Sequence, residues 1–198
     1  MNDTLKLQSE ALIPTPHATF RMLAYAEKVE EQMPHIAMVH PELDLTQPVT
    51  MRIHSECITG DLFGSKRCDC GEQLEQALKV IATQKGVLLY LRQEGRGIGI
   101  INKLKAYQLQ DTGLDTIEAN LHLGLKIDGR QYDIAIEILE QLGIKSIRLL
   151  TNNPEKIDAF ADSKIKITER LPLIIKPQKE NSGYLKTKKE QMGHLLNF

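Results

Sequence analysis

The sequence predicts an α/β protein: a layered mixed sheet flanked by helices, with a β-rich N-terminal part. Three observations carry that reading. From residue 70 onward, helical and strand patterns alternate along the chain. Before residue 60 the chain reads as short strands separated by polar or proline-containing segments. The apolar runs are short throughout. Val87-Leu88-Leu89-Tyr90-Leu91 is as long as any, which suits a buried strand and falls far short of a membrane span. With 198 residues, one domain over 1–198 is expected, its β-rich part at about 11–60 and its α/β part at about 61–198.

Residues 1–10 read as a polar lead-in, and Pro14 and Pro16 punctuate the entry to the first strands. Residues 19–24, 35–40 and 49–54 read as strands of hairpins or a meander. Leu74, Ala77, Leu78 and Ile81 fall at i, i+3, i+4 and i+7, one face of a helix that begins near Cys70. Gly86 ends that pattern, and residues 87–91 form a strand. A glycine-rich loop over 94–99 leads into a helix at about 100–111, which stops near Gly113. A third helix covers 132–142, with Ala135, Ile138, Leu139 and Leu142 on its apolar face and Gly143 as its stop. A strand at 146–150, a turn at Asn152-Asn153-Pro154, a short helix and a strand at 165–168 come next. An amphipathic helix over 184–196 closes the chain. The lysine-rich stretch 176–189 is read as a solvated surface.

Composition excludes several function classes. Hydrophobic residues make up 41% and charged residues 26%, which rules out a disordered, collagen-like or membrane-spanning chain. Lys plus Arg is 25 and Asp plus Glu is 26, a net charge of −1, so the basic excess of a nucleic-acid binder is missing. Trp is absent and aromatics are 5%, so base-stacking platforms are not expected either. The first ten residues carry no secretory pattern, and a cytoplasmic protein is expected. An odd number of cysteines, three, argues against a disulfide framework.

Those three cysteines, Cys57, Cys68 and Cys70, lie within fourteen positions of one another. Buried small hydrophobes are the plain alternative, but the clustering favours metal binding, and zinc is the natural ion for thiolates. Three protein ligands leave a fourth position for water, as in catalytic zinc sites; His54 as a fourth ligand is the structural alternative. Three thiolates give a zinc site a formal charge of −1. It would acidify water less than a tris-histidine site, so a nearby acid or base is needed, and Glu56 adjoins a ligand.

The loop Arg92-Gln-Glu-Gly-Arg-Gly-Ile-Gly99 comes after a strand and before a helix. Its glycines let backbone N–H groups approach a ligand, and a helix N-terminus favours anions. By spacing it is neither a P-loop nor a dinucleotide fingerprint, and a tight turn explains it equally well. Asp128-Gly-Arg130 reads alone as a turn with an ion pair. Thr151 and Lys156 lie just past the strand 146–150, where open α/β sheets bind ligands, though a capped turn fits as well.

Taken together these strings are far more specific. Residues 52–61 (RIHSECITGD), 65–73 (SKRCDCGEQ), 92–99 (RQEGRGIG), 110–120 (QDTGLDTIEAN) and 148–154 (RLLTNNP) closely resemble GTP cyclohydrolase II, from about Pro14 to the C-terminal residues 192–196. The length resembles that of the monofunctional enzyme, without the dihydroxybutanone phosphate synthase domain that some relatives carry in front. The resemblance implies hydrolysis of GTP to formate, pyrophosphate and 2,5-diamino-6-(5-phosphoribosylamino)pyrimidin-4-one, the first committed step of riboflavin biosynthesis. It implies one zinc per chain on Cys57, Cys68 and Cys70 plus water, magnesium with the triphosphate, and a homodimer. Arg52, Ile53, His54, Ser55, Glu56, Gln73, Glu94, Gly95, Arg96, Thr116, Thr151 and Lys156 match GTP-binding positions. Asp128 matches the proton acceptor, Arg130 the residue assigned as nucleophile, and Tyr107 an active-site tyrosine. A guanidinium has no free lone pair, so an electrostatic clamp on phosphate explains Arg130 with fewer assumptions. On guanine, Glu94 is suited to accept from N1 and N2, and Gln73 or a backbone N–H to donate to O6.

Overall fold

The structure, a computed structural model, describes residues 5–126, 128–190 and 193–196. In chain order its elements are β1 (Lys6–Pro14), β2 (Thr19–Ala26), β3 (His35–Val39), β4 (Val49–Ser55), α1 (Ile58–Asp61), α2 (Cys70–Thr83), β5 (Val87–Leu91), a 3-10 turn (Glu94–Gly97), α3 (Gly99–Asp111), α4 (Thr116–His122), α5 (Asp133–Gln141), β6 (Ser146–Leu150), α6 (Glu155–Asp158), β7 (Lys166–Leu171) and α7 (Ser182–Glu190). Among the described residues no helix is long and apolar enough to cross a membrane. The chain divides into two compact units. The first takes the chain up to His54, Leu74–Arg92 and Tyr132–Leu173; the second takes Ser55–Gln73, Gln93–Gln131 and the chain from Ile174.

The first unit is built on one seven-stranded mixed sheet in the order β1-β2-β3-β5-β4-β6-β7. The pairs β1–β2, β2–β3 and β3–β5 are antiparallel. The pairs β4–β6 and β6–β7 are parallel. The central strands are buried on both faces because their side chains alternate between two clusters. Leu23, Ala37, Met51, Leu89 and Ile147 join Ala135, Ile138 and Leu139 of α5 on one face. Phe20, Met38, Leu88 and Leu150 join Ala77 and Ile81 of α2 on the other. Each fully buried Leu or Ile contributes about 1.5–3 kcal/mol by its removal from water. The expected α/β architecture is what forms, a mixed sheet with helices on it.

Three local expectations need correction. Residues 6–10 are not a lead-in but the start of β1, an edge strand; residues 1–4 lie outside the described residues. Most of β1 is exposed, so it lacks the alternation that marks a half-buried strand. Its turn into β2 is closed by the Thr15 hydroxyl, which accepts from the N–H groups of His17 and Ala18. Next, the stretch before residue 132 holds a helix, α4, that apolar periodicity does not reveal. A capping box starts it: Asp115 accepts from the N–H of Ile117 and Glu118, while Glu118 accepts from the N–H of Asp115. Last, the closing helix runs over Ser182–Glu190, and residues 193–196 are not helical. Its lysines are not all solvated, because Lys188 is buried.

The second unit is helical: α1, the first turn of α2, the 3-10 turn, α3, α4 and α7. Its α3 is inverted relative to an ordinary amphipathic helix. Lys103 is only 8% exposed, whereas Ile101 is 70% exposed. Lys103, Tyr107 and Asp111 recur every four residues and share one face, which is where the chemistry lies.

Candidate active site

The second unit gathers all three cysteines. Their sulfurs lie within 4.8 Å of one another, with Cys57 and Cys68 at 3.6 Å. That is too long for a disulfide, and it is close to the ~3.8 Å that tetrahedral ligands ~2.3 Å from zinc would span. The donor set therefore fits a zinc ion. Backbone glycine makes the approach possible: a Cβ on Gly60 of α1 would lie 2.9 Å from the Cys68 sulfur and 3.3 Å from that of Cys57. Asp61 accepts from the Cys57 N–H at 2.9 Å and pins the start of α1. The cluster contains no fourth His, Cys or carboxylate among the described residues. His54, the alternative fourth ligand, instead stacks its ring on Tyr90 at 5.5 Å.

Charge in this cluster is organised by a residue that the sequence reading passes over. Lys103 donates to the Cys57 sulfur at 3.1 Å, to the Thr59 hydroxyl at 2.9 Å and to Glu94 Oε1 at 2.8 Å. Hydrogen bonds from Cys68 and Cys70, with the charge of Lys103, pull the Cys57 thiol far below the ordinary thiol range. The Cys68 thiol, hydrogen-bonded to Cys57, is pushed up to about 11. Burial disfavours the Lys103 ammonium, but the Cys57 thiolate and Glu94 outweigh it and raise its pKa. Tyr107, one turn further along α3, is pushed up to about 12, chiefly by burial, so it keeps its proton at neutral pH. The Arg67 guanidinium lies 4.9 Å over the Tyr107 ring and pairs with Asp111 at 2.7 Å. The signal for Lys103 is its four-residue spacing to Tyr107 on a helix with no coherent apolar stripe.

The glycine-rich loop becomes the 3-10 turn, and it is a shaped structure rather than a plain turn. Gly95 and Arg96 both take left-handed backbone, with φ of 61° and 62°. For arginine that conformation costs about 1–2 kcal/mol, the sort of strain found at functional sites. The Arg96 carbonyl accepts from the Gly129 N–H at 3.0 Å, which joins this loop to the Asp128–Arg130 turn. Arg96 Nη2 is buried with no hydrogen-bond partner among the described residues, a donor left for an acceptor from outside. Glu94 accepts from Lys103 on one oxygen and from the Ile58 N–H at 2.6 Å on the other, keeping a lone pair on each. Asp128 grips Arg130 through both carboxylate oxygens, Nε lying 2.9 and 3.0 Å away and Nη2 closing the fork. Burial pushes the Asp128 carboxyl up, but Arg130 outweighs it and holds it below the carboxylate range.

Other candidates in this unit have identifiable surroundings. Ser55 Oγ is buried with no partner among the described residues, and Glu56 is buried beside Cys57 in sequence. Gln73 donates to Asp69 at 2.6 Å. Thr116, at the start of α4, lines a cavity of about 620 Å³ with Arg67, Asp115 and Tyr184. That volume suits a small-molecule ligand.

In the first unit the candidates meet at the carboxyl ends of the neighbouring parallel strands β4 and β6. Arg52, His54, Thr151 and Lys156 are all buried. Arg52 donates to the Leu150 carbonyl at 3.0 Å, and Lys156 donates to the Ile53 carbonyl at 2.7 Å. The Thr151 hydroxyl accepts from the Asn153 N–H, so the turn is capped, while its own O–H still has a hydrogen to donate. These cations lie where an open α/β sheet receives ligands.

Fold and site define an α/β protein with a thiolate centre suited to zinc and a set of fixed cations suited to a polyanion. Residues 6–172 match the profile of the family GTP cyclohydrolase II. The GTP cyclohydrolase-2 of Picrophilus torridus is 49% identical over 97% of this chain and 100% of its own. That of Buchnera aphidicola is 49% identical over 98% of this chain and 100% of its own. The riboflavin biosynthesis protein RibBA of Bacillus mycoides is 51% identical over 96% of this chain but 48% of its own length. The chain thus spans about half the length of the RibBA relatives it matches. It belongs to the GTP cyclohydrolase II family, a family of hydrolases.

Proposed function

We propose that the protein hydrolyses the imidazole ring of GTP. The products are formate, pyrophosphate and 2,5-diamino-6-(5-phosphoribosylamino)pyrimidin-4-one, which feeds riboflavin biosynthesis. The observation that carries this reading is the convergence of three sulfurs within 4.8 Å, tied through Lys103 to Glu94 of the glycine-rich loop. Family membership supplies the substrate class. Bound by Cys57, Cys68 and Cys70, zinc would supply Lewis acidity and a water of lowered pKa for attack at guanine C8.

The chain's own residues do the rest. Lys103 offsets one thiolate charge, so three anionic sulfurs do not quench the electrophile. Tyr107 keeps its proton at neutral pH and can donate a hydrogen bond to charge developing on the opened ring. Asp128 stays ionised, fixes Arg130 and offers the proton-accepting carboxylate. Arg130, held as a rigid fork, clamps phosphate together with Arg96, and Lys156 is proposed as a further GTP contact. Glu94 and Gln73 read the guanine edge, and Arg52 to Glu56, Gly95, Thr116 and Thr151 complete the GTP contacts. Magnesium arrives on the triphosphate, held mainly by phosphate oxygens. In this reading the protein works in the cytoplasm as a homodimer and binds neither nucleic acid nor membrane.

The test is product stoichiometry. With zinc and magnesium present, formate and pyrophosphate should each appear one for one with GTP consumed. A product that retains the formyl group would limit the reaction to ring opening. Loss of neither group from GTP by zinc-replete protein would overturn the reading.

A further inference from the structure

The family profile stops at residue 172, short of α7, and no candidate site residue lies on that helix. Yet α7 carries one of the few buried lysines of the chain. Lys188 Nζ donates to Asp69 Oδ1 at 2.9 Å, and both side chains are nearly inaccessible. Asp69 lies between two of the three cysteines, and its other oxygen accepts from Gln73 at 2.6 Å. A buried ion pair adds little net stability, because desolvation offsets most of its attraction. What it does supply is geometry: the peptide carrying Cys68 and Cys70 is held by two donors, one from α7 and one from α2.

The same helix reaches the arginine of the glycine-rich loop. Tyr184 presents its ring to the Arg96 guanidinium at 5.7 Å and to the Lys188 ammonium at 4.4 Å. Both are within the range of a cation–π contact. Arg96 sits in strained left-handed backbone, so a side-chain support of this kind is what fixes its direction. Just ahead of α7, Gln178 donates to Glu72 at 2.7 Å, and within it Leu185 is buried. Gly183, Tyr184 and Thr187 also line the cavity that holds Thr116.

We infer that α7 is a working part of the active site: Lys188 is the positioning residue for the Cys68–Asp69–Cys70 turn, and Tyr184 the positioning residue for Arg96. The inference rests on the proposed zinc site and deepens it. Two readouts separate the two roles. Release of zinc from the purified full-length protein to a chromogenic chelator reports on the cysteine turn. The KM for GTP, with kcat measured alongside, reports on Arg96.

Lys188→Met should weaken zinc retention by about 10- to 100-fold, as loss of an outer partner of a metal site does. Lys188→Arg should restore most of it. Tyr184→Leu should raise the KM about threefold to tenfold, the size of a lost cation–π contact, with a smaller loss of zinc than Lys188→Met. Tyr184→Phe should keep the wild-type KM. Zinc loss from Lys188→Met at the wild-type rate overturns the first role, as does zinc loss from Lys188→Arg as fast as from Lys188→Met. An unchanged KM in Tyr184→Leu overturns the second. Wild-type protein that holds no zinc against the chelator overturns the metal reading itself, a result distinct from either.

Discussion

Lys103 shows how much of the site hangs on one side chain. Its ammonium lies against a thiolate, a hydroxyl and a carboxylate, with the Lys103 and Glu94 side chains each only 10% exposed. Lys103→Met leaves that carboxylate without its cation, held only by the Ile58 N–H, and should destabilise the protein by about 3–5 kcal/mol in denaturant unfolding. Adding Glu94→Gln removes the stranded charge, so the double variant should recover a large part of the loss. Simple additivity of the two losses would show that the pair is not coupled. His35, which belongs to the first unit, gives a pH test. Burial, then the nearby Arg92, lower its pKa below 6.5, against an opposing pull from Glu31; its Nδ1 accepts from the Arg92 N–H. The unfolded chain therefore binds this proton more readily than the native one, and the stability tied to a neutral ring is present above about pH 6.5. It is lost as pH falls through the folded-state value. His35→Gln should flatten the stability profile in that window; an unaltered slope would remove His35 as its source. At this scale the cysteines are legible because thiols are few and sit together. Lys103 and Lys188 are not, because a lysine in sequence defaults to solvent and only partners distant in the chain reveal burial.

Elements deliver those residues through backbone that tolerates no extra atom. Gly60 brings α1 against the cysteines, so Gly60→Ala should abolish zinc binding while circular dichroism stays near wild type. Full metal content in that variant would mean the helix can shift at little cost. The glycine-rich loop is another such case. Its polar residues are readable, but its left-handed pair at Gly95 and Arg96, and the backbone bond to Gly129, are not. Strong periodicity makes the sheet strands and α2 and α5 legible. β1 escapes because both its faces are mostly exposed, and α4 because a seven-residue helix declares itself by its cap, Asp115-Thr-Ile-Glu118, rather than by a stripe.

On the scale of the whole molecule, the candidate residues fall into two units. One unit holds a sheet whose central strands are buried on both faces, with Arg52 on β4, Thr151 just past β6 and Lys156 on α6. The other supplies the thiolates, Lys103, Arg96 and Arg130 on short helices and turns. The α/β class is visible in the alternation of patterns. Strand order is not, since it depends on pairings far apart in the chain, such as Ile147 with Val49. Ring opening and pyrophosphate release, both proposed for this protein, are two chemistries that one variant can pull apart. Formate and pyrophosphate release from GTP should be measured side by side, with zinc and magnesium present, for wild type and Cys57→Ser. Wild type is expected to release both, and Cys57→Ser pyrophosphate but no formate, which assigns the cysteine centre to ring opening. Formate release by Cys57→Ser at the wild-type rate would contradict the account.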